Sequence, residues 1–350
     1  MNWKFFIITF LGIFTNSALA ESEYIIGGNI GRYETKLGIF KINDNNPEHV
    51  VTLYYPTSSI THFSDFIDHI LEDLKTENNI IISRACFGVP GNTSEDRMFI
   101  QSPHLSFAVD GHELIEKKLL KQAFVLNDFE VQAYGINALD ETKFIPINKG
   151  VMRNNAPKLI IGAGAGLGSA LLTHNAQQNT SNVLPLGPCY MDFAPQTQEE
   201  LDYVAFLHNL LDENIITWGK VLGSTGGIMA AYDFIKTRKE YASTIDAKDR
   251  DAIFANASFD EQCKDTVDFY LKLYARLIRN IAYAVLPHGG VYITNTIAMK
   301  HHSFFSTPEF YEQLFDCKHL WMKAMFHDIP VFIINEPNIS LYGAAQYLLQ

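Results

Sequence analysis

Two stretches of the chain set short apolar runs around dense glycine, and the remainder alternates between helical and strand periodicity. Residues 24–40 (YIIGGNIGRYETKLGIF) read as strand, glycine turn, strand. Residues 158–172 (KLIIGAGAGLGSALL) share that design. Between them the pattern predicts a strand at 50–55 and a helix over about 64–75, with Phe66, Ile67, Ile70 and Leu74 on one face. A buried strand at 79–86 follows, then a helix over 111–121 and a strand at 123–126 that runs into Asn127-Asp128. The second half predicts helices over 198–211, 228–236 and 260–286. The last carries Val267, Leu271, Tyr274, Ile278 and Ile281 on one stripe, an ordinary core face. Strands are expected at 291–294 and 331–334, and a C-terminal helix from Tyr342. Strands alternate with helices and each half opens on a glycine hairpin, which describes a duplicated α/β architecture with a cleft between its halves.

The glycine run decides against one familiar reading. Gly162, Gly164, Gly166 and Gly168 alternate strictly and miss the GxGxxG spacing. The THNAQQNTSN stretch that follows is too polar and turn-rich for the helix a dinucleotide-binding unit needs next. A hairpin fits better than a strand-to-helix crossover.

Composition narrows the partners. The 350 residues are 47% hydrophobic, enough for one large core or two ordinary ones, and the net charge of −12 argues against nucleic acid. Nothing after residue 20 approaches a membrane span. Residues 1–20 combine one positive charge at Lys4, the apolar FFIITFLGIF and an A-x-A pattern at Ala18 and Ala20, so a cleaved signal peptide and export to the periplasm or medium are expected. A buried strand or a retained anchor is the alternative, and the chain would then be cytoplasmic. Cys86, Cys189, Cys263 and Cys317 show no paired spacing; buried free thiols are expected, with two disulfides as the alternative. The histidines form no metal-ligand spacing, and His301-His302 reads as a solvated turn. Four N-x-S/T sites, at Asn92, Asn179, Asn256 and Asn338, matter only in a eukaryotic secretory route.

Five ordered motifs make the pattern specific. Val125-Leu-Asn-Asp-Phe129, Gly162-Ala-Gly-Ala-Gly-Leu-Gly168, Asp192-Phe-Ala-Pro195, Val221-Leu-Gly-Ser-Thr-Gly226 and the closing His327-Asp-Ile-Pro-Val331 with Leu341-Tyr-Gly343 resemble the bacterial glucokinases of the non-ROK group, over residues 23–348. The resemblance implies an α/β, two-domain actin-like ATPase (ribonuclease-H-like) fold with duplicated mixed sheets and a central cleft. Residues 21–138 with 335–350 would form a smaller domain and 139–334 a larger one. It also implies ATP-dependent phosphorylation of a hexose 6-hydroxyl, with ATP and Mg²⁺ as cofactors and a homodimer as a frequent family state. Asp128 matches the general base, and Asn127 the residue orienting neighbouring hydroxyls; the local alternative is that Asn127-Asp128 caps the next helix. Tyr190 and Asp192 fall on the sugar side. Gly28, Asn29, Gly31, Arg32, Gly162, Gly164, Gly166, Gly168, Gly226, Gly289 and Gly290 fall on the phosphate and ATP side. No protein ligand for a metal is expected.

The chain also departs from the family pattern. Asn29 stands for a metal-side Asp, Arg32 for a glycine, Tyr33 for a Thr, and Glu34 adds negative charge nearby. Gly187 and Tyr190 replace a sugar-binding Glu and His, and a second Glu falls on Gly219. Asn295 and Thr296 replace two adenosine-side glycines, and Ala165 replaces a phosphate-facing Thr. Three functions follow: a working sugar kinase, an exported pseudoenzyme that binds a ligand or protein partner, or an altered enzyme whose Arg32 holds another anion.

Overall fold

The structure is a computed structural model that describes residues 23–44, 46–164, 166–223, 227–242, 245–317 and 319–350. The expected leader at 1–20 and two site positions, Ala165 and Gly226, lie outside the described residues.

The first half runs β1 (Tyr24–Ile30), β2 (Glu34–Asn43), β3 (Asn46–Pro56), α1 (Phe63–Asn78), β4 (Ile82–Val89), β5 (Phe99–Ile100), β6 (Val109–Asp110), α2 (Gly111–Glu116), β7 (Gln122–Asn127) and α3 (Asp128–Gly135). The second continues with β8 (Phe144–Pro146), β9 (Lys158–Ala163), β10 (Leu167–Asn175), β11 (Thr180–Leu186), α4 (Gln198–Leu211), α5 (Trp218–Leu222), α6 (Gly227–Lys236), α7 (Arg250–Asn256) and α8 (Glu261–Val285). It closes with β12 (Val291–Ile293), α9 (Thr296–Lys300), α10 (Pro308–Phe315), α11 (Leu320–His327), β13 (Val331–Ile334) and α12 (Ile339–Tyr347).

The two large sheets repeat one topology. The first has the order β3-β2-β1-β4-β7 and the second β11-β10-β9-β12-β13, with β8 added at its far edge. In each, an antiparallel meander (β1-β2-β3 or β9-β10-β11) is followed by two strands parallel to the first. Both glycine-rich stretches are the opening hairpins of these sheets, with Gly28 opposite Leu37 and Gly162 opposite Gly168. The polar THNAQQNTSN stretch closes a further hairpin onto β11, a strand its sequence did not announce.

Strand β1 is buried on both faces, which explains its near-continuous apolar run. Ile26 and Ile30 join Ile67, Ile70 and Leu74 of α1 in one core, whereas Ile25 joins Leu126, Ile160, Ala170 and Leu341 in a second. That second core lies between the sheets and is filled by α3 and α12. A third core packs the outer face of the second sheet with the long helix α8 at its centre. Two element boundaries move for backbone reasons. Strand β4 starts three residues later than expected because Asn79 ends α1 in the left-handed region (φ 55°). Helix α2 stops at Glu116, where Lys118 turns left-handed (φ 59°) and Leu119 and Leu120 donate back to Leu114 O. His301 is not a free turn residue: its ring stacks on Phe254 at 5.2 Å. The four cysteines are free thiols, Cys86 and Cys263 buried and Cys189 and Cys317 half-buried.

Candidate active site

The carboxyl ends of the parallel strands place the candidate residues. Asn29 lies beside Gly88 and Asn127 beside Val89, so the β1–β2 turn and the β7–α3 junction share one sheet edge. In the second sheet, β9 ends at Ala163 and the Thr294 N–H donates to Ile161 O at 2.9 Å just beyond β12. Open α/β sheets collect ligands at such carboxyl edges. Helix α3 joins the two edges. Gly168 packs on the Phe129 ring, 2.1 Å from where a Cβ would fall. Thr294 Oγ1 donates to Gln132 Oε1 at 3.0 Å, and Gln132 Nε2 donates to Asp128 O at 3.2 Å.

Of the two local readings of Asn127-Asp128, the cap belongs to Asn127. Its Oδ1 accepts from the Phe129 N–H at 2.8 Å, and Glu130 Oε2 accepts from the Asn127 N–H at 3.1 Å, completing a capping box. Asp128 is therefore the first helical residue, half-buried at the carboxyl edge of the first sheet. Burial pushes its carboxyl up to about 6, against hydrogen bonds from the Phe129 backbone, its own backbone and the Asn127 side chain that favour the ionised form. A carboxyl that titrates near neutrality can take a proton from a hydroxyl.

The glycines of the second hairpin have two uses. A Cβ at Gly162 would fall 2.1 Å from Thr294 O, so Gly162, like Gly168, serves packing. Among the described residues, the nearest atom to a Cβ at Gly164 is Asn295 Cβ at 3.9 Å, and none lies within 4 Å of a Cβ at Gly166. That open space is where a phosphate can approach backbone. Gly28 packs on the Phe87 ring, 2.5 Å from where a Cβ would fall, and Gly31 closes its turn by donating N–H to Glu34 O at 3.0 Å. Gly289 and Gly290 are corrected outright. They precede β12 next to Pro157, at the opposite end of β9 from Gly164, and take no part in the cleft.

Arg32 is exposed, with its guanidinium 5.2 Å over the Tyr33 ring, and the Glu34 charge is met by Lys36 at 3.3 Å. Beneath this turn, Thr57 Oγ1 donates to Gly31 O at 2.7 Å and shares a buried hydrogen bond with Thr35 Oγ1 at 2.9 Å. Sequence reading missed that brace because two lone threonines carry no pattern.

At the positions expected on the sugar side, Tyr190 ends a short 3-10 turn and is 84% exposed, its ring beside Gly187. Asp192 is exposed and bridged to Thr217. Gly219 cannot be a Glu in this arrangement, since a Cβ there would meet Cys189 O at 2.7 Å. The 192–195 loop is anchored from below, again by residues the sequence left unmarked. Phe193 packs edge-on to Trp218, and the Arg276 guanidinium lies 5.1 Å and 5.4 Å from these two rings. Arg276 Nη1 pairs with the fully buried Glu200 at 2.7 Å, and Glu200 Oε2 also accepts from the Gln196 N–H at 2.7 Å. Arg276→Met strands that carboxylate, and urea denaturation is expected to show a loss of about 3 kcal/mol, much of it recovered by adding Glu200→Gln.

Where the family resemblance places the adenosine side, Arg250, Phe254, Tyr270, Tyr274, Asn295 and Phe305 line a narrow crevice. Asn295 N-caps α9, its Oδ1 accepting from the Ala298 N–H. Among the described residues no group of three or more His, Cys, Asp or Glu could hold a metal ion.

Comparison with known proteins agrees with this geometry. The glucokinase family model matches residues 26–350. The glucokinase of Nostoc punctiforme is 26% identical over 341 residues, covering 92% of this chain and 97% of that protein. A glucokinase from an Antarctic psychrotroph superposes with a TM-score of 0.76 at 22% identity, covering 93% of this chain and 98% of that one. The Balamuthia mandrillaris glucokinase in complex with glucose gives a TM-score of 0.76 at 20% identity, over 93% of each chain. ROK-family sugar kinases share the fold at lower similarity, with a TM-score of 0.57 for a Streptomyces griseus glucokinase. With nearly the whole chain matched, the twin sheets and the Asn127-Asp128 junction belong to a member of the glucokinase family.

Proposed function

We propose that the chain is an ATP-dependent sugar kinase that transfers phosphate to the 6-hydroxyl of glucose or a related hexose, with turnover far below that of an intact site. The observation that carries this reading is Asp128, held by a capping box at the carboxyl edge of the first sheet with its carboxyl raised to about 6. Asp128 takes the hydroxyl proton, and Asn127 holds the junction in register. Gly164 and Gly166, uncrowded among the described residues, are the positions where backbone would meet the phosphates of ATP. ATP supplies the phosphoryl group. Asn29 brings no charge for Mg²⁺, so the nucleotide rather than this residue would have to hold the ion, whose chemistry would be to neutralise phosphate charge. Gly187 and Gly219 leave sugar hydroxyls without partners, which weakens discrimination and rate.

A second reading rests on the nucleotide side. The aromatic-lined crevice beside Asn295 leaves no room even for a water molecule, against the range of about 300–1,000 Å³ typical of ligand pockets. This supports a protein that kept the fold without nucleotide turnover; in this reading the chain is exported by residues 1–20 and binds a ligand or partner. A coupled assay with Mg-ATP and a hexose panel separates the two. Slow, hexose-dependent ADP release that disappears in Asp128→Asn is the expected result. No ADP release, together with no thermal shift from ATP or any hexose, would leave the binding-module reading.

A further inference from the structure

We propose that Arg97 and Glu130 form a positioning clamp for Asp128, tying the catalytic junction to the loop at 91–97 and to α12. The part of this inference that concerns turnover rests on the kinase reading above. Glu130 is 1% exposed, in the first turn of a helix buried between the sheets. One of its carboxylate oxygens accepts from the Asn127 N–H at 3.1 Å, and the other faces Arg97 Nη2 at 3.6 Å. A buried carboxylate is tolerated only with such a cation and hydrogen bonds around it.

Arg97 is built into the clamp from all sides. Its backbone is left-handed (φ 59°), its N–H donates to Ser94 O at 3.0 Å, and its C=O accepts from the Val125 N–H at 2.7 Å. Its guanidinium lies 5.7 Å over the Tyr347 ring of α12 and faces the hydroxyls of Tyr347 and Tyr134. The same loop grips the end of β7 twice more. Thr93 Oγ1 donates to Val125 O at 2.6 Å, and Asn127 Nδ2 donates to Gly91 O at 3.0 Å.

Together these contacts fix Asp128 through its backbone. The preceding N–H is held by Glu130, the following N–H by Asn127, and its own C=O by Gln132. Arg97 and Glu130 act through that backbone and are positioning residues. A displacement of about 1 Å at a reacting group costs up to ~10²-fold in rate, so a clamp of this kind sets kcat more than sugar affinity.

The test uses the full chain and two readouts. Amide hydrogen exchange is followed at Asn127 and Phe129, and kcat and KM are measured for hexose phosphorylation. Glu130→Ala is expected to speed exchange at Asn127 by roughly tenfold or more and to lower kcat about tenfold with KM within about twofold. Glu130→Gln keeps an acceptor for the Asn127 N–H and is expected to restore both. Wild-type exchange in Glu130→Ala overturns the clamp, as does a kcat loss that Glu130→Gln reproduces in full. Where Glu130→Ala does not fold, Arg97→Lys carries the test, because it keeps the charge and loses the planar fork; unchanged exchange at Asn127 in that variant overturns the clamp. A wild-type chain that phosphorylates no hexose overturns the kinase reading instead, and the exchange readout, which needs no turnover, still decides the clamp.

Discussion

Gly343→Ala is expected to cost the chain its cooperative fold, on the order of 4 kcal/mol or more. A Cβ at Gly343 would fall 1.6 Å from Val131 O and 2.6 Å from the Gly135 amide nitrogen. Both atoms are α3 backbone, and the clash involves the Cβ itself, so no rotamer relieves it. Helix α12 would have to lift from α3, opening the inter-sheet core that holds Val131, Leu341, Ala344 and Ala345. Urea melts followed by far-UV circular dichroism measure the effect. Gly166→Ala is the internal control, with no described residue within 4 Å of its Cβ and an expected change within about 0.5 kcal/mol. A Gly343→Ala variant with the wild-type midpoint would refute the claim that the close helix crossing holds the interior together.

Asp128→Asn is expected to separate activity from stability. If Asp128 takes the sugar proton, kcat falls by about 10²–10⁴-fold. The stability change runs the other way. The carboxyl has an ordinary value of 3.8 and is raised to about 6 in the fold, chiefly by burial. Its ionised form is therefore disfavoured in the folded state, and this site's contribution to stability declines as pH rises from 3.8 to 6 and stays reduced above that. Asparagine removes the charge while keeping an acceptor, so the variant should melt higher than wild type at about pH 8 and equally at about pH 4. Wild-type activity should in turn fall about tenfold per pH unit below about 6. Equal melting of the two proteins at about pH 8 would count against a desolvated carboxyl at this position.

How far the sequence could be read depended on how local each feature was. Strands β1, β9 and β13 are compact apolar runs, and helices α4 and α8 carry clear stripes, so their positions were visible in advance. Strand β11 (TSNVLPL) offers no alternation and is formed by pairing with β10, which no window of its own sequence records. The same divide runs through the site. Asn127 and Glu130 stand at capping-box spacing, and their partnership is local. Thr35 with Thr57, Glu200 with Arg276 and Arg97 with Glu130 are joined only by the fold. Glycines were the least decipherable residues. Gly162, Gly164, Gly166 and Gly168 look alike on paper, yet neighbouring backbone and one phenylalanine ring divide them into packing and open positions. Gly289-Gly290 mimics a phosphate loop and serves a turn on the far side of the sheet.

Helix α12 also bears on how the N-terminal half fares during synthesis. It follows every other described element, yet it lies against the first sheet: a Cβ at Gly27 would fall 2.3 Å from Leu341 O, and Leu341, Ala344 and Ala345 share a core with Ile25 and Cys86. The nascent N-terminal half therefore leaves the ribosome with part of one apolar face, the part that α3 does not cover, open until α12 emerges. A folding unit left open for that long is a client for chaperones and a point of aggregation risk.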